Sequence, residues 1–280
     1  MAGMEPFDEW LINAPLWLVT VLLVASLIGA ALLGWWLRQR AVRSGHGETN
    51  SDQEGYILGA VSGLLALLIG FTFSMAIDRF DTRRGRVLEE ANAIEATYVK
   101  AQLLGEPYRT RFSELLSEYT DNKILLGEAR PGSQQDQLLA RNEKIKIELW
   151  DEMIAVFPTI KGLDFSSSFV DTVSNIFEID AARKAGRRAH VPGQVYGILF
   201  LYQLAAAAVF GYVLTRRTSR SVGGVLLLLF AMSIVLVIEI DRPVTGRINE
   251  SQDAMRQLRA TLRENPPASF SKFTQAAQAP

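Results

Sequence analysis

The sequence predicts an all-α integral membrane protein, with four transmembrane helices and a helical cytoplasmic domain inserted between spans two and three. Three observations predict it. Apolar residues gather in four windows, Leu16 to Leu37, Tyr56 to Ile77, Val195 to Leu214 and Val222 to Ile240. Each is close to the about 20 helical residues that a hydrocarbon core of roughly 30 Å requires. The stretch between the second and third windows is polar, carries helical periodicity and shows almost no strand alternation. The second window also stops abruptly at Asp78, Arg79, Asp81, Arg83, Arg84 and Arg86, a block that cannot lie in lipid. Bulk composition conceals this organisation, since the mean hydropathy is +0.12, charged residues make up 21% and the formal charge is −1.

The same inventory excludes several kinds of chemistry. No cysteine is present, so there is no disulfide framework, thiolate metal site or thiol nucleophile, although the redox compartment stays open. There is no phosphate-binding glycine loop and no HExxH, and His46 and His190 are the two histidines. An enzyme is not expected, nor a cofactor, a metal site or a nucleic-acid partner. His190 stands in a basic run before the third span and reads as an interfacial or structural residue.

Taken in order, residues 1–15 form an N-terminal segment that carries Glu5, Asp8 and Glu9 in place of a basic n-region. The first span is too long for a signal-peptide core and reads as a retained anchor. Spans one and two occupy 16–77. The second span is expected to continue unbroken until Pro107, as a rod of about 50 residues and roughly 75 Å. Residues 78–194 form the extramembrane domain. Its next helix, Arg109 to Leu126, places Phe112, Leu115, Leu116 and Tyr119 on one face. A third, Gln134 to Phe157, buries Leu138, Ile145, Leu149, Met153 and Val156 and is closed by Pro158 and Gly162. Ser166 to Ser168 can cap a fourth, through Phe169, Val173, Ile176, Phe177 and Asp180. Spans three and four occupy 195–241. A Pro/Gly turn and a short helix follow over 242–264, and 265–280, rich in Pro, Ser, Gln and Ala, has the composition of a disordered tail.

Basic residues near the span ends bear on orientation. Arg38, Arg40, Arg43, Arg216, Arg217 and Arg220 follow spans one and three. The opposite side holds Arg79, Arg83, Arg84, Arg86, Arg183, Lys184, Arg187, Arg188, Arg242, Arg247, Arg256 and Arg259. The larger set places both termini and the central domain in the cytoplasm of a multi-pass cell-membrane protein. The first span alone, basic only after it, favours an external N-terminus.

Two constellations stand out. The second span ends in IDRFDT, from Ile77 to Thr82, and the fourth in IDRPVT, from Ile240 to Thr245. Two spans apart, both ends reach the same membrane face. Arg79, Asp81, Asp241 and Arg242 would then form a charged collar at the mouth of a conduit, or else snorkel at the interface as any helix end can. Within the second span, Gly55, Gly59 and Gly63 begin a small-residue face that continues through Ser62, Ala66, Gly70, Ser74 and Asp78. Such a face packs helices closely. It can also line a pore in a symmetric oligomer, with Thr72 nearby. Glu89, Glu90 and Glu95, near Asn92 on the rod, read as a solvated or salt-bridged face. Gln203, alone inside the third span, reads as an interhelical hydrogen bond rather than a transport site.

The run GFTFSMAIDRF resembles the second-span motif of the bestrophin family, with Gly70 and Phe71 as its Gly-Phe pair and Arg79 and Phe80 as its Arg-aromatic pair. The aromatic is Phe where bestrophins usually have Trp. Past the last span, Asp241, Pro243, Gly246, Asn249 and Glu250 resemble the acidic, Pro-Phe-Gly, Asn-Asp sequence of bacterial bestrophins, with one extra residue between Pro and Gly. IDRFDTRRGRVLEEANAI followed by Glu106 and Pro107, and IDAARKAGRRAHVP, are more closely similar to the bacterial bestrophin-like domain proteins. That resemblance covers roughly residues 56 to 260.

The resemblance implies a homo-oligomer, a pentamer in bestrophins, that conducts an inorganic ion with its second span around the axis. Conduit candidates are then Gly70, Phe71, Thr72, Ser74 and Asp78, with Ile69, Phe71 and Phe73 nearest to the family's apolar constriction. Selectivity does not carry over. Asp241, Glu239 and Glu250 are too scattered to propose the calcium site of animal members. Lipid, further copies of the chain and an ion are the expected partners; the alternative is a membrane-tethered helical scaffold or sensor that binds a cytoplasmic protein.

Overall fold

The structure, a computed structural model, describes residues 10, 14–44, 51–214, 217–242 and 250–270. Its helices are α1 (Leu16–Arg43), α2 (Ser51–Ala101), α3 (Tyr108–Glu128), α4 (Ser133–Ile160), α5 (Ser166–Arg188), α6 (Gly193–Val213), α7 (Arg217–Asp241) and α8 (Asp253–Glu264). No strand occurs among the described residues. The chain forms two compact units, Met1–Phe80 with His190–Ile248 and Asp81–Ala189 with Asn249–Pro280, and α2 contributes to both. Helices α1, α2, α6 and α7 are long and apolar enough to cross a membrane.

In the first unit, α1, α2, α6 and α7 bury a seam that includes Leu23, Leu27, Leu65, Ile69, Leu199, Ala206, Ile234 and Val237. Their directions follow from the contacts at one end. Arg38, near the end of α1, pairs with Glu54 at the start of α2 and lies 5.6 Å from the ring centroid of Tyr212, at the end of α6. Arg220, at the start of α7, lies 5.7 Å from the Trp35 ring of α1. Helices α1 and α6 therefore run parallel, with α2 and α7 opposed to them, as four successive spans require.

Lipid tails are as apolar as a leucine side chain, so helices in a bilayer associate through close packing rather than the hydrophobic effect. Two glycines show where this is tightest. A Cβ at Gly34 of α1 would stand 1.9 Å from the Ala208 carbonyl oxygen of α6, and one at Gly211 of α6 would stand 1.8 Å from that of Ala31. Both obstacles are backbone, which cannot rotate away.

The second unit packs the later part of α2 with α3, α4, α5 and α8. Phe112, Leu115, Leu116 and Tyr119 of α3 are buried with Ile145, Leu149, Met153 and Val156 of α4, Phe169, Val173 and Ile176 of α5, and Met255, Leu258 and Leu262 of α8. The Phe112 and Phe169 rings meet edge to face at 5.2 Å, a favoured aromatic geometry.

Four local expectations change. Helix α2 ends at Ala101 rather than at Pro107: the amides of Gln102, Leu103 and Leu104 bond three residues back to Val99, Lys100 and Ala101, tightening the last turn. Pro107 instead precedes α3, after a cis Glu106–Pro107 bond. Pro158 lies inside the last turn of α4, which continues to Ile160; its exposed position leaves the freed carbonyl open to water. Ser166 to Ser168 do not cap α5, because they already lie in its first turn behind Phe165. The Ser168 carbonyl and hydroxyl oxygens accept from Lys100 Nζ at 3.1 and 2.7 Å. Asn265 and Phe270, assigned by composition to a disordered tail, are held: the Asn265 carbonyl accepts from Tyr98 Oη at 2.8 Å, and the Phe270 ring packs 6.5 Å from that of Tyr98.

Gly34→Val and Gly211→Val are expected to cost about 3 kcal/mol or more through overpacking and to remove the folded, monodisperse species in size-exclusion chromatography in detergent. Gly29→Ala, with nothing within 4 Å of the added Cβ, should leave the elution profile unchanged.

Candidate functional site

On α2 the buried side is formed by Leu65, Ile69, Thr72 and Ala76, which pack in the first unit. The other side is exposed and carries Gly55, Gly59, Gly63, Ala66, Gly70, Ser74 and Asp78 at steps of three or four. A Cβ added at Gly55, Gly59, Gly63 or Gly70 meets nothing within 4 Å, so among the described residues no helix packs closely on these four glycines. Phe71 stands beside it at 64% exposure, whereas Ile69 is buried and Phe73 is partly buried against the neighbouring spans. Thr72 is on the opposite side, 4% exposed, and its hydroxyl donates to the Leu68 carbonyl at 2.8 Å. A groove of about 370 Å³ between α2 and α7 includes Ala66, Gly70 and Ser233 in its lining.

The expected mouth charges separate into two sets. Asp78 is exposed and Arg79 half-buried in the first unit, while Asp81 is exposed in the second. Asp241 and Arg242 are buried. Both carboxylate oxygens of Asp241 accept from the Val191 amide at 3.1 Å, and Oδ2 also accepts from Tyr196 Oη at 3.3 Å. His190 Nδ1 lies 3.2 Å from the Asp241 carbonyl oxygen. The last residue of α7 thus anchors the chain where α6 begins, a position in which a carboxylate also complements the helix dipole. Glu5, Asp8, Glu9, His46, Arg216, Pro243, Thr245, Gly246, Arg247, Asn249 and residues 271–280 lie outside the described residues. Gln203 is fully buried in α6, but among the described residues neither its amide oxygen nor its nitrogen has a hydrogen-bond partner, so the expected interhelical bond is not made there.

The helical unit contains a charge cluster that sequence periodicity did not isolate. Glu90, 0% exposed on α2, accepts from Tyr119 Oη at 2.7 Å and from Arg183, with Lys123 Nζ at 3.0 Å. Asp180, also 0% exposed, accepts from Lys123 at 2.7 Å, Lys146 at 2.9 Å and Lys184 at 2.8 Å. Lys184 continues to Glu143. Burial alone would raise the Glu90 carboxyl; the charges of Lys123 and Arg183, with hydrogen bonds from Arg183 and Tyr119, outweigh it and hold the group below its ordinary range. Asp180 is likewise raised by burial and lowered further by Lys123, Lys184 and Lys146, ending well below the usual carboxylate range. Glu89 and Glu95, the other carboxylates of this stretch, are exposed. Among the described residues no group of three or more His, Asp or Glu side chains is placed to hold a metal ion.

A profile of the Bestrophin-like domain matches residues 15–255. The fold is similar to that of a bacterial bestrophin homologue from Klebsiella pneumoniae, solved as single-substitution variants. One is 15% identical over 86% of this chain and 98% of that one, with a TM-score of 0.63. Another is 16% identical over 86% and 97%, at 0.60. A further structure, described as a membrane protein, is 15% identical over 86% and 97%, at 0.64. No curated protein matches the chain.

The buried cluster sets a mutational and a pH signature. Glu90→Gln or Asp180→Asn leaves Lys123 buried beside a lost countercharge and is expected to cost about 3–5 kcal/mol, read as a lower thermal midpoint by circular dichroism. Both carboxyls have folded pKa values depressed below their unfolded ones. Their stabilisation is therefore complete above about pH 5 and is lost as pH falls through and below the ordinary carboxylate range near pH 4. The midpoint should be flat from pH 5 to 8 and fall steeply below pH 4, and less steeply in Asp180→Asn.

Proposed function

The chain belongs to the bestrophin-like domain family, and from that premise we propose that it is a homo-oligomeric ion channel whose conduit is lined by the exposed small-residue face of α2. The observation that carries this reading is the contrast between that face and the exposed faces of the other spans. Helix α1 turns Trp17, Val21, Leu32 and Trp36 outward, α6 turns Ile198 and Leu201, and α7 turns Val225, Leu229 and Met232, all suited to lipid tails. Helix α2 also exposes Ile57, Leu64 and Leu67, but beside them it presents a continuous strip of Gly, Ala and Ser that ends in Asp78. A hydroxyl such as that of Ser74 gains nothing from hydrocarbon and is favourable beside water and ions, and Asp78 follows where the apolar run meets water. Copies of α2 around a common axis satisfy that requirement, and small side chains leave the axis open.

In this reading Gly70, Ser74 and Asp78 lie toward the conduit, with Phe71 as the bulky apolar residue that narrows it. Gly55, Gly59 and Gly63 allow close approach of neighbouring copies nearer the start of α2. Thr72 is left out, because its hydroxyl is already bonded on the buried side. Arg79 and Asp81 follow Asp78 where the apolar run ends and are its neighbours at the mouth. Asp241 acts there indirectly, by tying the start of α6 to the end of α7, with the buried Arg242 next to it in the chain. Five copies, as in the bestrophins that the sequence resembles, with both termini and the helical unit in the cytoplasm, complete the assembly.

Ionic current across a planar bilayer containing the purified chain under asymmetric salt tests this. The expected result is a selective conductance whose reversal potential shifts by at least several millivolts in Asp78→Ala. A silent bilayer, with insertion and folding of the protein demonstrated, would sink the channel reading.

A further inference from the structure

The helical unit holds a second charge cluster, built differently from the one around Glu90. Glu250 lies between Arg83 of α2 and Arg187 of α5, 3.6 Å from Arg83 Nε and 3.5 Å from the Arg187 guanidinium. Arg83 and Glu250 are 3% and 5% exposed and Arg187 is 21% exposed in their side chains. These separations exceed the about 2.7–2.9 Å of a charge-assisted hydrogen bond, and among the described residues Glu250 Oε1 accepts none. The carboxylate is attracted to both guanidiniums without being seated on either fork.

Arg86 adds a third cation. Its Cδ and Nε lie 3.8 Å from the point where a Cβ on Gly186 would stand, next to Arg187 in the chain, and its Nε is buried without a hydrogen bond. Arg183, one turn earlier on α5, is committed to Glu90 and adds like-charge repulsion. Burial first, and then that repulsion, push the Arg187 guanidinium down, against the opposing pull of Glu250. Glu250 stands between the Arg83 and Arg187 guanidiniums, and Arg86 reaches the same stretch of α5 at Gly186. Guanidinium forks match phosphate as well as carboxylate, in planar bidentate geometry.

We propose that Arg83, Arg86 and Arg187 form a binding site for a phosphate-type oxyanion, and that Glu250 is its internal occupant, which the anion displaces. The backbone need not move for this exchange. Gln252, two residues on, is seated against Gly127, where a Cβ would stand 2.4 Å from its Cδ, and Met255, Leu258 and Leu262 lock α8 into the core. Rotation of the Glu250 side chain suffices. Arg83 and Arg86 follow the second apolar run, and Arg187 precedes the third, by about ten residues or fewer. Lipid headgroup phosphate and free phosphate are therefore both within the site's chemistry. The proposal does not depend on whether the chain conducts.

The test uses the full chain in a detergent with an uncharged headgroup and reads the thermal midpoint against inorganic phosphate, with chloride at matched ionic strength as reference. A ligand that binds only the folded state raises the midpoint saturably. If Glu250 fills the site about nine-tenths of the time, Glu250→Gln should raise the apparent phosphate affinity about tenfold. Arg86→Gln and Arg187→Gln should abolish the response. A parallel arm compares nanodiscs of phosphatidylcholine with and without phosphatidic acid. A shift with free phosphate assigns a soluble ligand, and a shift only with phosphatidic acid assigns a headgroup. No shift in either arm for both wild type and Glu250→Gln overturns the proposal, as does a phosphate response that persists undiminished in Arg86→Gln. Should Arg187→Gln fail to fold, Glu250→Gln and Arg86→Gln decide the matter.

Discussion

The helical unit depends on one buried chain of charges, Arg183 to Glu90 to Lys123 to Asp180. It joins α5 to α2, α2 to α3, and α3 back to α5, with Lys146 of α4 closing on the same Asp180 carboxylate. Each ion in it loses hydration worth several kcal/mol, and the arrangement is tolerated only because every charge meets an opposite one at hydrogen-bond distance. An apolar core accepts many packings that differ little in energy. A closed charge chain accepts few, since a helix shifted by one residue strands an ion. We read its role as fixing register among four helices whose apolar faces alone would permit sliding.

The spans solve a different problem. Where hydrocarbon surrounds the protein, apolar side chains no longer discriminate between neighbour and lipid, and close contact must come from what is missing. Gly34 and Gly211 let α1 and α6 touch backbone to backbone, while a Cβ added at Gly55, Gly59, Gly63 or Gly70 of α2 meets nothing within 4 Å among the described residues. The same residue type therefore serves two ends. One pair closes a contact between two spans, and the other series, in the channel reading proposed above, is the surface offered to further copies.

That distinction marks the limit of what the sequence discloses. The four spans are legible because their length and apolarity exceed what a soluble helix needs, and the α3 face of Phe112, Leu115, Leu116 and Tyr119 is legible because burial repeats with the helical period. Glu90 is not, since its neighbours Glu89 and Glu95 are chemically alike and only partners on other helices, Arg183 lying 93 residues away, separate a core ion from solvated ones. Asp241 reads as a mouth charge for the same reason: its acceptor role depends on Val191, 50 residues earlier. Thr72 reads as a conduit hydroxyl because composition cannot show which way a side chain turns. Ser166 to Ser168 look like a cap, but the helix has already begun.

The tie between Asp241 and the start of α6 also bears on how the protein is made. During synthesis the third span leaves the ribosome first, and its opening residues wait without their acceptor until the fourth span has been completed to its final carboxylate. A nascent chain cut short before Asp241 would keep the bond from Arg220 to the Leu214 carbonyl at the other end of the pair, but would leave the Val191 amide without its carboxylate. The start of α6 therefore gains this acceptor only once the last residue of α7 has been made.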